Sequence, residues 1–302
     1  MTTVEVFAPA KINLTLHVTG QRADGYHLLD SIVSFGTMGD SLRLYPGNTL
    51  SLAVEGPEAD DVPTDMDNLA LRAASLVPRH DEGAALVLDK HLPVASGIGG
   101  GSADAAAAYR GMLVLCEQTA SLLAAAPDDV LAPDARALLR LGADVPMCLV
   151  SSPLRARGIG EKMGLVSLPR LPVVLINPRK AVSTPKVFAA LRQKDNPPMS
   201  DPLPEFADVS TTIGWLAGMR NDLEVPAMEV EPSIAEVLDS LRQTKACRLA
   251  RMSGSGATCF GLFETEDEAK AAASLLFDRH PDWWVAGGFL ADQSIAARPR
   301  TI

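Results

Sequence analysis

The stretch from residue 93 to residue 105, Pro-Val-Ala-Ser-Gly-Ile-Gly-Gly-Gly-Ser-Ala-Asp-Ala, limits what this chain can fold into more than any other. Gly97, Gly99, Gly100 and Gly101 place four glycines within five positions, and Ser102 and an alanine-rich run follow directly. Glycine loses more backbone freedom on folding than any other residue, so a regular strand or helix is a poor place for four of them. A sharp bend that must come close to something suits them better. The alanine-rich run predicts a helix, with Ser102 able to cap it. A helix opening from such a loop turns its free N–H groups and the positive end of its dipole toward the loop, which favours an anion, most commonly a phosphate. The stretch reads as a phosphate cradle.

Familiar loop fingerprints do not fit it. No Gly-Lys-Ser/Thr follows, as a Walker A loop requires, and the third glycine of a dinucleotide-binding loop would fall on Ser102. A Gly-x-Ser-x-Gly nucleophile turn fails as well, because Asp104 ends the pattern around Ser102 and Arg251 and Ser255 flank Ser253. A formal net charge of -10 argues against DNA or RNA, so no nucleic-acid partner is expected, yet a local cluster of N–H groups can still hold a small phosphorylated ligand. Cys116, Cys148, Cys247 and Cys259 are scattered and the five histidines form no ligand pattern. We therefore expect no protein-built metal site, and reduced thiols in a cytoplasmic protein. The N-terminal Met-Thr-Thr-Val-Glu-Val lacks a basic segment leading into an apolar core, and no apolar run reaches the roughly 18 residues of a membrane span, so no membrane partner is expected.

A length of 302 residues suits two domains of about 150 residues, and the division is expected after residue 155, giving 1–155 and 156–302. In the first half, Val4 to Phe7, the alternating Ile12, Leu14, Leu16 and Val18, then Ile32 to Phe35, Leu42 to Leu44, Leu50 to Val54 and Ala84 to Leu88 predict strands. Ala23-Asp24-Gly25 predicts a turn, Asn68 caps a helix through Leu76, and Asp134 to Leu141 is helical and stops at Gly142. In the second half, Val173 to Ile176 predicts a buried strand, Ser183-Thr184-Pro185 opens a helix, and residues 193–210 form an exposed loop. Ser233 to Leu241 and Glu264 to Phe277 predict helices, Arg248 to Met252 and Ala257 to Phe263 strands around a tight glycine turn, and Trp284 to Leu290 a closing strand. The mixed order indicates an α+β layer architecture, with a ferredoxin-like sandwich in the second half.

Several further residues are weak signals taken singly. Lys11 could be a solvated strand-edge lysine, Asp144 a helix cap, Tyr26 and His27 turn decoration, and Met252-Ser-Gly-Ser-Gly-Ala257 a plain hairpin. Their joint occurrence in this order is the strong signal. Ala8-Pro-Ala-Lys-Ile-Asn-Leu14, Pro93 to Ala105 and Met252 to Ala257 resemble the three motifs of the GHMP kinase superfamily. The similarity narrows to the branch that phosphorylates diphosphocytidyl methylerythritol, through Lys11-Ile-Asn13-Leu14, Arg22-Ala-Asp-Gly-Tyr-His27, Gly142-Ala-Asp-Val-Pro146, Gly158-Ile-Gly-Glu161 and Asn221-Asp-Leu-Glu224. The Asp-Gly-Tyr-His element discriminates best.

The resemblance implies a two-domain α+β fold, with an ATP-binding N-terminal domain like the second domain of ribosomal protein S5 and a ferredoxin-like C-terminal domain. It implies Lys11 and Asp144 as the catalytic pair, and Asn13, Tyr26, His27 and Thr184 as contacts to the small-molecule substrate. The backbone of Pro93, Val94, Ala95, Ser96, Gly97, Ile98, Gly99, Gly100, Gly101, Ser102 and Ala103 would wrap the ATP phosphates, and the turn at 253–256 would close over them. Ala95 and Ser96 stand where many relatives carry glycine, and Ala103 where many carry serine, so no side-chain role is assigned there. The implied reaction is transfer of the ATP γ-phosphoryl group to the acceptor's 2-hydroxyl, with Asp144 receiving the proton and Lys11 as its partner. Mg²⁺ is expected, held mainly by ATP. The chain would be a monomer or a homodimer. A mevalonate-, homoserine- or galactose-type kinase would keep the fold and change the acceptor, and a nucleotide sensor without catalysis would be expected to lack Lys11 or Asp144.

Overall fold

The structure, a computed structural model, describes residues 3–77, 83–117 and 133–302. The first half contains β1 (Val4–Asn13), β2 (His17–Gln21), β3 (His27–Gly47), β4 (Ser51–Glu55), α1 (Leu69–Ala74), β5 (Gly83–Asp89) and α2 (Gly100–Leu115). After these come α3 (Pro133–Leu141), α4 (Val145–Val150) and the hairpin of β6 (Leu154–Gly158) and β7 (Lys162–Leu165). The second half contains β8 (Leu171–Asn177), α5 (Thr184–Ala190), α6 (Val209–Ala217), α7 (Glu224–Val230) and α8 (Ser233–Gln243). It ends with β9 (Leu249–Met252), β10 (Cys259–Leu262), α9 (Glu266–Arg279), β11 (Trp284–Ala291) and β12 (Arg300–Thr301).

The strand β3 organises the sheet. It pairs antiparallel with β1, β2, β5, β6 and β11, and the long path through the sheet runs β12-β1-β3-β11-β8-β10-β9. Two strands expected from the sequence, Ile32 to Phe35 and Leu42 to Leu44, are parts of this single element. Gly39 lets it continue, because a Cβ there would stand 2.3 Å from the carbonyl oxygen of Ala8 on the neighbouring strand. The strand expected to close the fold, β11, is instead internal: it pairs with β3 at Leu290 and Ala291 and with β8 from Trp284 to Leu290. It thereby joins the two halves in one sheet. The expected division after residue 155 falls within β6, whose partner is β3.

Local chemistry accounts for much of this. All seven residues of β8 are buried, as its unbroken apolar run requires. Asn68 caps α1 by accepting from the Ala70 N–H, although the helix ends at Ala74, short of the expected Leu76. Thr265 and Glu268 form a reciprocal capping box on α9. Ser102 is not the cap of α2. The helix starts earlier, at Gly100, because Gly99 takes the N-cap position in the left-handed region with φ 65°, where glycine alone is unstrained. Ser183 occupies the N-cap position of α5 without making a capping hydrogen bond. The short helices α4, α6 and α7 were not expected, and residues 193–210 are irregular until α6 begins, with Met199 buried among them.

Three apolar clusters fill the molecule. The first packs α1, α2 and α4 on β1, β3 and β5, and the consecutive buried alanines Ala105 to Ala108 let α2 lie close to the sheet. The second packs α8 and α9 on β8 and β10. The third draws Ile12, Leu14 and Ile32 from the first half together with Val173, Phe260 and Leu290 from the second.

Candidate active site

The glycine loop and the Ser-Gly-Ser-Gly turn lie back to back. A Cβ on Gly97 would stand 2.6 Å from the Gly256 carbonyl oxygen and 2.7 Å from that of Ser253, and one on Gly254 would stand 2.8 Å from the Gly97 carbonyl oxygen. Backbone approaches of this kind exclude any side chain. Hydrogen bonds fasten the contact: the Thr258 N–H donates to the Ser96 carbonyl at 3.0 Å, and the Ser253 hydroxyl donates to the Gly97 carbonyl at 3.1 Å. Asn221 latches the turn from behind, its side-chain amide donating to the carbonyls of Met252 at 2.8 Å and Gly254 at 2.9 Å. Glu224 accepts from the Met252 N–H. The sequence motif Asn221 to Glu224 thus has a structural task that its spacing alone did not reveal.

Lys11 reaches the same place from β1. The register of β1 against β3 shifts between Pro9 and Lys11, as a proline inside a strand requires, and such a bulge re-aims side chains. The Lys11 N–H donates to the Ile98 carbonyl of the glycine loop at 2.9 Å. Its buried ammonium lies 2.9 Å from Asp144 Oδ2 and donates to Asn13 Oδ1 at 2.8 Å. Asn13 is held in turn by Ser31 and by the Ser253 hydroxyl, which accepts from its N–H. Asp144 stands at the N-cap of α4 but makes no capping hydrogen bond, and its side chain is 39% exposed. Its carboxylate is therefore turned to the lysine and the open space.

That space is a cavity of about 1090 Å³. Of the residues singled out by sequence, Lys11, Asn13, Tyr26, His27, Thr184, Asp144, Pro93 to Gly97 and Gly99 to Ser102 line it. Ile98 and Ala103 do not: both side chains are fully buried, and the Ala103 N–H is committed to the Gly99 carbonyl at 2.8 Å, so it is closed to a ligand. In the cavity lining, exposed Tyr26 precedes His27, whose ring stacks on Phe188 with centroids 4.6 Å apart. Burial, with Lys194 nearby, pulls the His27 imidazole below its usual range, and its buried Nε2 has no hydrogen-bond partner. The Thr184 hydroxyl is engaged with the Ser255 hydroxyl at 2.7 Å. Val62, Pro63, Asn68 and Leu69 also line the cavity.

Sequence reasoning missed a second charged cluster under the cradle. Lys90 pairs with Asp40 and, at 2.9 Å, with Asp104, and all three side chains are buried. The Lys90 ammonium lies 3.2 Å from where a Cβ on Gly100 would stand, while Lys11 lies 3.0 Å from the same point on Gly99. Two ammonium-bearing side chains thus flank the first two residues of the nest. The signal available was Asp104, a lone charge in the otherwise apolar run Ala103 to Tyr109. Among the described residues, no group of three or more His, Cys, Asp or Glu side chains is arranged to hold a metal ion, and no helix is long and apolar enough to cross a membrane.

Comparison with known proteins bears on this geometry. Residues 68–151 match the family model for the GHMP kinases N terminal domain, and residues 188–279 the model for GHMP kinases C terminal. The 4-diphosphocytidyl-2-C-methyl-D-erythritol kinase of Roseobacter denitrificans is 53% identical over 298 residues, spanning 98% of this chain and 97% of its own. A crystal structure of 4-(cytidine 5'-diphospho)-2C-methyl-D-erythritol kinase is 34% identical and superposes with a TM-score of 0.72, covering 95% of this chain and 99% of the other. A homoserine kinase from Cytophaga hutchinsonii superposes with a TM-score of 0.65 at 17% identity over 99% of this chain and 97% of its own, a likeness of fold.

Proposed function

The chain belongs to the GHMP kinase family, and from that premise we propose that it transfers the γ-phosphoryl group of ATP to the 2-hydroxyl of 4-diphosphocytidyl-2-C-methyl-D-erythritol. It is an ATP-dependent small-molecule kinase; the acceptor, the hydroxyl and the roles of residues are the parts proposed. The observation that carries the reading is the 2.9 Å contact of Lys11 Nζ with Asp144 Oδ2 beside Gly99, the N-cap of α2.

Phosphoryl transfer of this kind passes through a loose, nearly in-line transition state, so the protein's work is positioning and charge stabilisation. The free N–H groups of Gly100 to Ser102 and the dipole of α2 receive the triphosphate. Asp144 accepts the hydroxyl proton as the new P–O bond forms and the bond to the leaving ADP oxygen breaks. Lys11, anchored by Asn13 and Asp144, has one N–H left to direct at the hydroxyl or the moving phosphoryl oxygens. Mg²⁺ would be carried by the triphosphate and water, as a small hard cation that dehydrates reluctantly prefers. Tyr26 offers a ring face to the cytosine, and the unpartnered His27 Nε2 a directional hydrogen bond to its edge. The four cysteines, scattered along the chain without a Cys-x-x-Cys pair, support a reducing, cytoplasmic setting.

An acceptor panel tests the reading. ADP release from ATP should be supported by 4-diphosphocytidyl-2-C-methyl-D-erythritol at a kcat/KM at least about 10³-fold above that with mevalonate, homoserine or galactose, because a site built to hydrogen-bond one acceptor leaves its polar groups unpaired with another. Comparable rates with any of these would reassign the acceptor.

A further inference from the structure

The Lys90 cluster does no chemistry in the mechanism, yet it lies directly behind the nest. Asp104 belongs to the second turn of α2, whose first N–H groups form the cradle, and it lines the same cavity as Lys90. One ammonium faces two carboxyls there, all buried. If both carboxyls were ionised, the cluster would carry a net negative charge, in low dielectric, beneath a site meant for an anion. The structure offers a way out: Asp40 and Asp104 both present an Oδ2 atom to the one Lys90 ammonium, and the Asp104 Oδ1 is buried without a partner. Asp40 is fixed as the acceptor of the pair, because its Oδ1 receives the N–H groups of His91 and Leu92 at 2.6 and 2.8 Å.

We propose that Asp40 and Asp104 share one proton, that the Lys90 cluster is thereby electrically neutral, and that this proton is required for tight binding of ATP in the cradle. The proposal rests on the reading of the cradle as the ATP site. Burial and the neighbouring Asp40 push the Asp104 carboxyl up to about 8 against the pull of Lys90, and Lys90, though burial opposes it, is held above its usual range by the two carboxyls. The other titratable groups on the elements packed against α2 are Glu5 and Lys11 on β1, His27, Asp30, Arg43 and Tyr45 on β3, Asp144 and Cys148 beside and on α4, Arg72 on α1, and Tyr109 and Arg110 farther along α2 itself. Of these, burial pushes the Cys148 thiol up, so it stays neutral over the range that matters.

The sign follows from linkage. A bound triphosphate favours the protonated cluster, so binding near pH 8 takes up protons, and affinity falls as pH rises past the carboxyl's value in the free protein. Isothermal titration of the full chain with Mg²⁺ and a non-hydrolysable ATP analogue reads both quantities, at pH 7 to 9.5 and, at pH 8, in two buffers of different ionisation enthalpy. The wild-type Kd is expected to rise about three- to tenfold between pH 7 and 9.5, with a fractional proton taken up at pH 8. Asp104→Asn, which keeps the shape and removes the proton, should bind without that uptake and with a flat Kd. A flat wild-type profile, or equal uptake in both proteins, overturns the proposal. The wild-type arm decides even if the variant does not fold. Absence of binding at every pH would instead remove the ATP reading itself.

Discussion

At the scale of single residues, Asp144 is the side chain on which the proposed chemistry turns, and its freedom from capping α4 is what leaves it available for that role. Asp144→Asn keeps the volume and the contact to Lys11 but removes the proton acceptor. We expect kcat to fall about 10²- to 10⁴-fold, with affinity for an ATP analogue changed only a few-fold. Near-normal turnover would take Asp144 out of the mechanism. Tyr26→Ala should raise KM for the cytidine substrate far more than KM for ATP, since Tyr26 is an exposed lining residue outside the glycine loop; equal effects would show the acceptor contacts to be misassigned. His27 supplies a pH signature. Its imidazole titrates below the usual range, so it is neutral at pH 7 and above, and substrate affinity should be flat there and weaken on acidification below about 6.5. His27→Gln should lack that acid limb; an unchanged limb would dissociate His27 from the substrate. Lys11, Tyr26 and His27 were legible because they sit in compact motifs. Asp40, Lys90 and Asp104 were not, because a single charge in an apolar run looks the same whether it is exposed at an edge or buried against a partner 50 or 14 positions away.

At the scale of elements, the site depends on two loops whose backbones touch. Gly97 has φ +76° and no room for a side chain against Gly256 and Ser253. Gly97→Ala is expected to destabilise the protein by about 1–3 kcal/mol and to weaken ATP binding at least tenfold, read by thermal melting and titration calorimetry. Asn221→Ala removes both donors that latch the turn, leaving the buried carbonyls of Met252 and Gly254 unpaired, a loss of about 1–3 kcal/mol. Its ATP KM should rise while the KM for the acceptor changes less. Wild-type stability in either variant would mean that the two loops are held by other contacts. Element boundaries were readable where a cap or an alternating pattern marked them, as at Asn68 and in β5. The six residues of α4, Val-Pro-Met-Cys-Leu-Val, show no polar face, and a run of that kind does not distinguish helix from strand. The start of α2 was misjudged by three residues because the capping preference of Ser102 was weighed above the backbone freedom of Gly99.

At the scale of the molecule, pairing across distant segments decides the architecture, and periodicity says little about it. The sequence marked a closing strand at Trp284 to Leu290, but its place between β3 and β8 is set by which edges the two halves leave open. The third apolar cluster draws side chains from both halves, so neither half buries its share of that core alone. Chemical denaturation should therefore follow one transition, coincident by tryptophan fluorescence and far-ultraviolet circular dichroism; two separated transitions would show that the shared cluster does not couple the halves. The same joined sheet holds β1, which carries Lys11, and β10, which adjoins the turn over the nest, at fixed separation. The most direct test of the account is phosphorus NMR of the product formed from ATP and 4-diphosphocytidyl-2-C-methyl-D-erythritol. A new phosphomonoester resonance, coupled to the carbon bearing the 2-hydroxyl and appearing in step with ADP, is the expected result. ADP without that resonance, or a phosphate on another oxygen, would contradict it.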